Sequence, residues 1–351
     1  MQIKIGDKLV GNKSPILIVA EAGVNHNGNI NMAKKLVDAA VEAGADAVKF
    51  QTFKAENLVT MSAEKASYQR ERTGSERPQY DMLKKLELTA EEFVELAKYS
   101  RKREIIFLSS PFDENSVDLL DEIGVPAFKI PSGEITNFPL LEYVAKKGKP
   151  VILSTGMSTV EEVREALNVI KNNGSNDVIL LHCVTSYPSK VKDMNLRVME
   201  TLKTAFALPI GLSDHTLGIT IPTASVALGA VMLEKHFTLD KNFSGPDHKA
   251  SLNPKELSEM VLAIRDVETA LGNGIKKITQ EEEEIKAVSR KSIVAKVDIA
   301  KGAIIQEDML IIKRPASGLE PKFIGIIVGR KTTRNIRKDE PISWEALGGK
   351  S

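Results

Sequence analysis

Short apolar runs, bounded by glycine, proline and polar turns, alternate along this chain with longer segments whose apolar residues recur at helical spacing. The runs ILIVAEAG (16–23), DAVKFQTF (46–53), IIFLSSPF (105–112), AFKIPSG (127–133), PVILSTG (150–156), DVILLHCVTSYP (177–188), PIGLSDH (209–215) and VMLEKHFTLD (231–240) predict strands. The segments between and after them predict helices over 30–43, 90–103, 114–123, 138–147, 159–173, 195–206, 219–229 and 254–271. Eight strands alternating with eight helices predict an α/β fold, a (β/α)8 TIM barrel, which occupies about 250 residues. A doubly wound sheet uses fewer strands and often carries GxGxxG after the first, which this chain lacks. Ahead of the barrel, residues 2–14 alternate around a Gly-Asp turn and predict a β-hairpin. Beyond it, the charged QEEEEIKAVSRKS reads as a linker, and the later β-branched runs, broken by glycine and polar turns, predict a small β-rich domain. The expected division is a barrel domain over 1–280, a linker over 281–287 and a second domain over 288–351.

One connection breaks the rhythm. From Lys54 to Leu88 the chain separates the second strand from the second helix and carries Lys65, Arg70, Arg72 and Arg77. A loop that long is either a solvated insertion or, at the top of a barrel, a lid over the site. Composition adds exclusions more than identity. A formal net charge of +1 gives no reason to expect nucleic acid or an anionic membrane as partner. The single cysteine, Cys183, excludes an intrachain disulfide framework and suits a reducing compartment. A polar N-terminus and the lack of any membrane-length apolar run make a cytoplasmic protein the expectation.

Barrel enzymes carry their reactive groups at the C-terminal ends of strands. Here those ends bear Glu21, Lys49 with Gln51, Ser109 and Ser110, Lys129 with Ser132, Ser154 with Thr155, His182 with Tyr187, Ser213 with His215, and Glu234 with His236. Any one of them can be a hydrogen-bonded core residue. All eight ends being polar is hard to assign to packing, because each unpaired buried polar group costs about 1–3 kcal/mol. Lys49 and Lys129, with the hydroxyls of Ser110, Ser132, Ser154 and Ser213, suit a small phosphorylated anion. No P-loop is present, so a nucleoside triphosphate is not indicated. His215 and His236, beside Glu234 and Glu21, are the metal candidates; imidazole and carboxylate ligands admit Mn, Fe, Co or Zn, and Mg less readily. His26 suits a loop-structuring or a substrate-contacting role, and Cys183 suits a buried small hydrophobe.

With these residues in view, the chain resembles the sialic acid synthases. The resemblance rests on IVAEAGVNHNG (18–28), AGADAVKFQTF (43–53), SSPF (109–112), FKIPSGE (128–134), LSTGM (153–157), LHCVTSYP (181–188), GLSDHTLG (211–218), LEKHFTLDK (233–241) and SGPDHKAS (244–251), in unbroken order. The later KSIVAKVDIAKG and KRP segments are similar to the antifreeze-like (SAF) domain of that family. The resemblance implies condensation of phosphoenolpyruvate with an N-acetylated amino-hexose and water, to give a nine-carbon 2-keto sugar acid and phosphate. It implies that His215 and His236 bind a divalent cation, typically Mn, with Mg or Co as further choices. Lys49, Ser110, Lys129, Ser132, Ser154, Thr185 and Ser213 would hold phosphoenolpyruvate, and Gln51, Tyr187, Asp247 and Arg314 the sugar. Glu21 would be the central carboxylate that manages protons at the sugar carbonyl and the attacking water. Family members are domain-swapped homodimers, which would bring Arg314 to a partner's barrel. The family's polar lid residue falls near Gly74-Ser75, and no role is assigned there.

N-acetylneuraminate synthase, acting on N-acetylmannosamine, is the first expectation. The alternative is a legionaminic acid synthase, acting on a 2,4-diacetamido-6-deoxy-mannose. A pseudaminic acid synthase fits less well, because the segment after the eighth strand reads SGPDHKAS and not ESEDSKFS-like. Synthases of shorter keto acids from an aldose phosphate lack the C-terminal domain. A non-catalytic barrel with a binding domain has no use for a rim of Glu21, Lys49, Lys129, His215 and His236.

Overall fold

The computed structural model describes residues 1–74 and 78–348. Arg77 and Ser75, noted above in the long connection, lie outside the described residues. The chain divides into two compact units, Met1–Gly272 and Asn273–Ser351.

The first unit opens with an antiparallel hairpin, β1 (Gln2–Ile5) and β2 (Lys8–Gly11). Eight parallel strands follow: β3 (Leu17–Gly23), β4 (Ala47–Thr52), β5 (Ile106–Pro111), β6 (Phe128–Ile130), β7 (Val151–Ser154), β8 (Val178–Cys183), β9 (Ile210–Asp214) and β10 (Met232–His236). Their order around the sheet is β5-β4-β3-β10-β9-β8-β7-β6. The last strand therefore pairs with the first, His236 opposite Glu21, and the sheet curls into the expected TIM-like barrel. The paired ladder runs between all neighbours except β5 and β6, where β6 is three residues long and ends at Pro131, which has no N–H to donate.

Side chains alternate strictly between two cores. Leu17, Val19, Leu108, Ile152, Ile179, Leu181 and Met232 point into the barrel, where the hairpin residues Ile3, Ile5 and Val10 pack against them from below. Ile18, Val48, Phe50, Phe128, Leu153, Leu180 and Leu233 point outward to the helices. Because the period is two, the parity set by the plug continues to the opposite rim. It turns Glu21, Lys49, Lys129, Ser154, Ser213 and Glu234 inward, on the faces that Leu17, Ala47, Ala127, Ile152 and Met232 begin. The same parity sends Ser109 and His182 outward, away from the rim where the sequence placed them. Ser109 Oγ lies 2.7 Å from Thr52 Oγ1, and His182 Nε2 lies 2.7 Å from the Met194 carbonyl.

The helices are α1 (Ile30–Glu42), α2 (Ala55–Leu58), α3 (Ser67–Thr73), α4 (Gln79–Lys84), α5 (Ala90–Lys102), α6 (Glu114–Ile123), α7 (Phe138–Ala145), α8 (Val160–Asn172), α9 (Val198–Phe206), α10 (Thr220–Ala227) and α11 (Pro254–Leu271). Reciprocal capping boxes start α5 (Thr89, Glu92), α8 (Thr159, Glu162) and α11 (Asn253, Glu256). The connection from Lys54 to Leu88 is not an open loop: α2, α3 and α4 lie within it. Its Leu58, Met82, Leu83 and Leu86 pack in a small separate core with Val24, Phe53 and Phe112, the residues that follow β3, β4 and β5.

In the second unit the stretch expected as a linker is helical. The helix α12 (Gln280–Ser289) is started by a Thr279–Glu282 capping box, with Glu281, Glu282 and Glu283 in its first turn where the helix dipole favours them. It buries none of its residues, so the sequence shows charge and no apolar stripe. Strands β11 (Ser292–Ala295) and β12 (Leu310–Lys313) pair antiparallel, and a short helix, α13, spans Ile324–Ile327. Ile293, Ile299, Ile305, Leu310, Ile327, Ile336 and Ile342 form the core of this unit.

Candidate active site

The inward side chains at the C-terminal rim enclose a cavity of about 210 Å³. Of the expected site residues, Glu21, Lys49, Gln51, Ser110, Lys129, Ser132, Ser154, Thr185, Tyr187, Ser213, His215, His236 and Asp247 all line it. Arg314, the remaining expected sugar contact, belongs to the second unit, exposed one residue past β12.

Two carboxylates and two lysines hold the floor of this cavity. Lys49 Nζ stands 2.8 Å from Glu21 Oε2 and 3.6 Å from Glu234 Oε2, and Lys129 Nζ stands 3.5 Å from Glu234 Oε1. Ser213 donates to Glu234 Oε1 at 3.0 Å, Lys49 donates to Ser110 at 3.1 Å, and the Gln51 amide donates to Glu21 Oε1 at 3.3 Å. All four charged groups are buried, and the carboxylates part company as a result. Burial pushes Glu21 up to about 7, reinforced by the charge of Glu234 and only partly opposed by Lys49. Burial acts on Glu234 in the same direction, but Lys129, Lys49 and the Ser213 hydrogen bond outweigh it and hold it at about 2. Lys49 is raised despite burial, because Glu21 and Glu234 flank it; Lys129, with burial dominant, is lowered. The result is one fixed anion, Glu234, and one carboxyl that exchanges its proton near neutrality. That division is what general acid–base chemistry uses.

Beside this floor the cavity is lined by the hydroxyls of Ser132, Ser154 and Thr185. Ser154 Oγ is buried without a hydrogen-bond partner, and the Gly156 N–H donates to Ser132 Oγ at 2.9 Å. A Cβ at Gly156 would stand 2.1 Å from Thr185 Oγ1 and 2.8 Å from Ser132 Oγ, so only glycine leaves those hydroxyls room. Thr155, by contrast, donates to the Leu181 carbonyl, and its hydroxyl is spent on the fold. Cys183 is buried as expected, yet it also lines the cavity, with Sγ 3.8 Å from His215 Nδ1.

The two histidines meet at the β9–β10 side, with ring centroids 5.3 Å apart. Among the described residues no group of three or more His, Cys, Asp or Glu forms a ready metal cage. What the pair offers is two nitrogens. His215 Nδ1 lies 3.0 Å from the Val184 carbonyl, which as acceptor places a proton on Nδ1; burial lowers this imidazole, but Cys183 and that carbonyl outweigh it and leave it raised. His236 Nδ1 is buried with no partner, and burial, then His215 and Lys49, hold that imidazole well on the neutral side. An unpartnered buried nitrogen on a neutral His236, beside a second imidazole whose proton a cation would displace, fits a divalent cation that keeps its other positions open. On the outer face of the same two strands, Lys235 donates to Asp214 and to the Thr216 carbonyl, and none of that ion pair is exposed. Asp214 and Lys235 are direct cross-strand partners, each one residue before a histidine.

Sequence reasoning missed the roof. Tyr68 and Gln69 from α3, and Met82, Leu83 and Leu86 from α4 and its end, line the cavity with Val24 and Phe112. Their signal was weak, since α3 reads SYQRERT, a helix with no apolar stripe. Glu234 was seen as a neighbour of the histidines, but its pairing with both lysines was not. His26 and His248 stand apart as loop supports: Gly28 N–H donates to His26 Nδ1 at 3.1 Å, and His248 bridges Thr238 and Asn27.

Residues 36–276 match the model of the NeuB family, and residues 290–348 match that of the SAF domain. The chain belongs to the NeuB family. It is 52% identical over 328 residues to an N,N'-diacetyllegionaminic acid synthase of Campylobacter jejuni, covering 93% of this chain and 98% of that one. A Legionella pneumophila protein of the same name is 48% identical, with 97% of each chain covered. The human N-acetylneuraminate-9-phosphate synthase is 38% identical over 96% of this chain and 94% of its own, and a Campylobacter jejuni pseudaminic acid synthase 36% over 92% and 93%. Among solved structures, the N-acetylneuraminic acid synthetase of Leptospira borgpetersenii superposes with a TM-score of 0.72 at 38% identity, over 81% of this chain and 95% of that one.

Proposed function

We propose that this protein condenses phosphoenolpyruvate with 2,4-diacetamido-6-deoxy-mannose and water, releasing phosphate and a nine-carbon diacetamido keto acid of the legionaminic type. The observation that carries this is the level of likeness to two N,N'-diacetyllegionaminic acid synthases, 52% and 48%, against 38% for the N-acetylneuraminate-9-phosphate synthase. N-acetylmannosamine, the first expectation from the sequence, thus gives way to the diacetamido sugar. The apolar roof of Val24, Met82, Leu83, Leu86 and Phe112 supports the same choice, because acetamido and deoxy methyl groups gain from apolar contact and a sugar phosphate does not.

In this proposal Lys49 and Lys129 face the phosphate and carboxylate of phosphoenolpyruvate, while Ser132, Ser154 and Thr185 donate to their oxygens; Ser213, whose hydroxyl donates to Glu234 in the free site, joins them only by turning from that carboxylate. Glu234 stays ionised and keeps both lysines charged and in place. The bond from C3 of phosphoenolpyruvate to the sugar aldehyde carbon forms as water adds to C2, and the tetrahedral product expels phosphate. Glu21, with its value near 7, takes the proton of that water and returns one toward the oxygen of the former aldehyde. A divalent cation on His215 and His236, Mn first and Mg or Co next, would supply Lewis-acid polarisation of the sugar carbonyl. Holding two substrates and a water in line is itself worth several kcal/mol, which is what a closed, pre-paired floor provides. Arg314 as a sugar contact, and the homodimer that its position in a separate domain calls for, belong to the same proposal on the strength of the family resemblance.

The test is phosphate release from phosphoenolpyruvate with Mn and a sugar panel: N-acetylmannosamine, its 6-phosphate, 2,4-diacetamido-6-deoxy-mannose and the pseudaminic precursor. The diacetamido-mannose should exceed the others in kcat/KM by at least about tenfold. A preference for N-acetylmannosamine would return the assignment to a sialic acid synthase.

A further inference from the structure

The insert between β4 and α5 has a role that the strand-end chemistry does not account for. Within it, one side chain of α3 reaches two distant segments of the chain. The Arg72 guanidinium donates through Nη1 to the Pro246 carbonyl and through Nη2, at 3.1 Å, to the Tyr187 carbonyl. It also lies over the Tyr68 ring, 5.4 Å from its centroid. Those three contacts join three separate elements: α3, the segment after β8 and the segment after β10. Each of the three delivers a cavity residue next to the Arg72 contact, namely Tyr68, Tyr187 and Asp247.

The aromatic rings extend this connection to the histidine pair. Tyr68 stacks on Tyr187 at 5.1 Å and 28°, and Tyr187 stands 4.2 Å from His215 and edge-on to His236. The Tyr68 hydroxyl accepts from the Gln69 amide at 3.3 Å, which leaves its own proton for another acceptor. Burial and the neighbouring Asp247 push Tyr68 upward, so it remains a donor at all working pH values. The lysines and hydroxyls expected to hold phosphoenolpyruvate stand on the strands or just past their ends; Tyr68 lines the cavity from α3, with the apolar Met82, Leu83 and Leu86 and with Asp247.

We propose that Tyr68 is a sugar-contacting, specificity-determining residue and that Arg72 is the positioning residue that sets Tyr68, Tyr187 and Asp247 at one spacing. Tyr68 offers its ring and its O–H to an acetamido group, and Arg72 acts through the two carbonyls without touching substrate. A lysine at 72 cannot replace it, because a single ammonium does not bridge two carbonyls and stack on a ring at once. The inference rests on the synthase assignment above and names the part of the site that reads the sugar.

The experiment is steady-state kinetics on the full chain with Mn, varying sugar and phosphoenolpyruvate separately, for Arg72→Lys, Arg72→Met, Tyr68→Phe and Tyr68→Ala, with thermal melting to verify folding. Arg72→Lys, Arg72→Met and Tyr68→Ala should raise the sugar KM at least about tenfold while the phosphoenolpyruvate KM stays within about twofold. Tyr68→Phe should give a smaller rise, and Tyr68→Ala should narrow the preference for the diacetamido sugar over N-acetylmannosamine. An unchanged sugar KM in folded Arg72→Met and Tyr68→Ala overturns the inference, as does a parallel rise in the phosphoenolpyruvate KM. Wild-type protein that releases no phosphate with any sugar overturns the synthase assignment itself, and this inference with it.

Discussion

Glu21 and Glu234 occupy the same rim yet end at about 7 and about 2, because one has a single close lysine and the other has two plus a hydroxyl. If Glu21 is the base, turnover rises with pH through about 7, and Glu21→Gln removes that limb along with about 10²–10⁴-fold of rate while the protein still folds. A pH profile of kcat/KM and a melting curve check both halves. Stability runs the other way. The folded value of Glu21 lies above the ordinary 4.5, so its contribution is whole below that value and is lost as the pH climbs to about 7. Wild type should therefore lose more stability than Glu21→Gln between pH 4.5 and pH 8, which melting curves across that range will read. At Gly156, alanine would push its Cβ into Thr185 and Ser132. We expect Gly156→Ala to raise the phosphoenolpyruvate KM far more than the sugar KM, which separate titrations of the two substrates will read.

At the scale of elements, strand parity made most of the rim legible. An apolar residue at 17, 152 or 232 implies that 21, 154 and 234 share its face. The same rule, applied to register, would have excluded Ser109 and His182, whose neighbours Phe107 and Leu180 face the helices. The insert was not legible, because α3 has no apolar stripe and its placement depends on Arg72 reaching two carbonyls far away in the chain. The Asp214–Lys235 pair shows a further element-scale effect: a fully buried ion pair bolts β9 to β10 one residue before each histidine. Removing one partner leaves a buried charge alone, which costs about 3–5 kcal/mol. Asp214→Ala should lower the melting temperature markedly and, if His215 and His236 hold the proposed cation, weaken Mn binding measured by electron paramagnetic resonance. A paired apolar replacement, Asp214→Leu with Lys235→Met, should recover much of the stability.

For the whole molecule, two units with separate cores carry the chain, one for chemistry at a barrel mouth and one built on a short antiparallel ladder. No helix among the described residues is long and apolar enough to cross a membrane. Exhaustive chelation should abolish phosphate release and added Mn should restore it, with His215→Ala and His236→Ala failing to regain activity; full activity of metal-free protein would remove the cation from the proposal. Arg314→Ala should raise the sugar KM, and light scattering should return twice the chain mass if a second copy completes the site. The sequence alone determined the barrel, the hairpin, a second β-containing domain and most of the inward residues, Ser109 and His182 excepted, because hydrophobic period and strand parity are local properties of the chain. Only the tertiary structure decided that both lysines converge on Glu234, that Glu21 is left to titrate near neutrality, and that Tyr68 roofs the cavity. Those outcomes depend on distances and burial between residues remote in sequence, and charge pairing in a buried site is set by such distances alone.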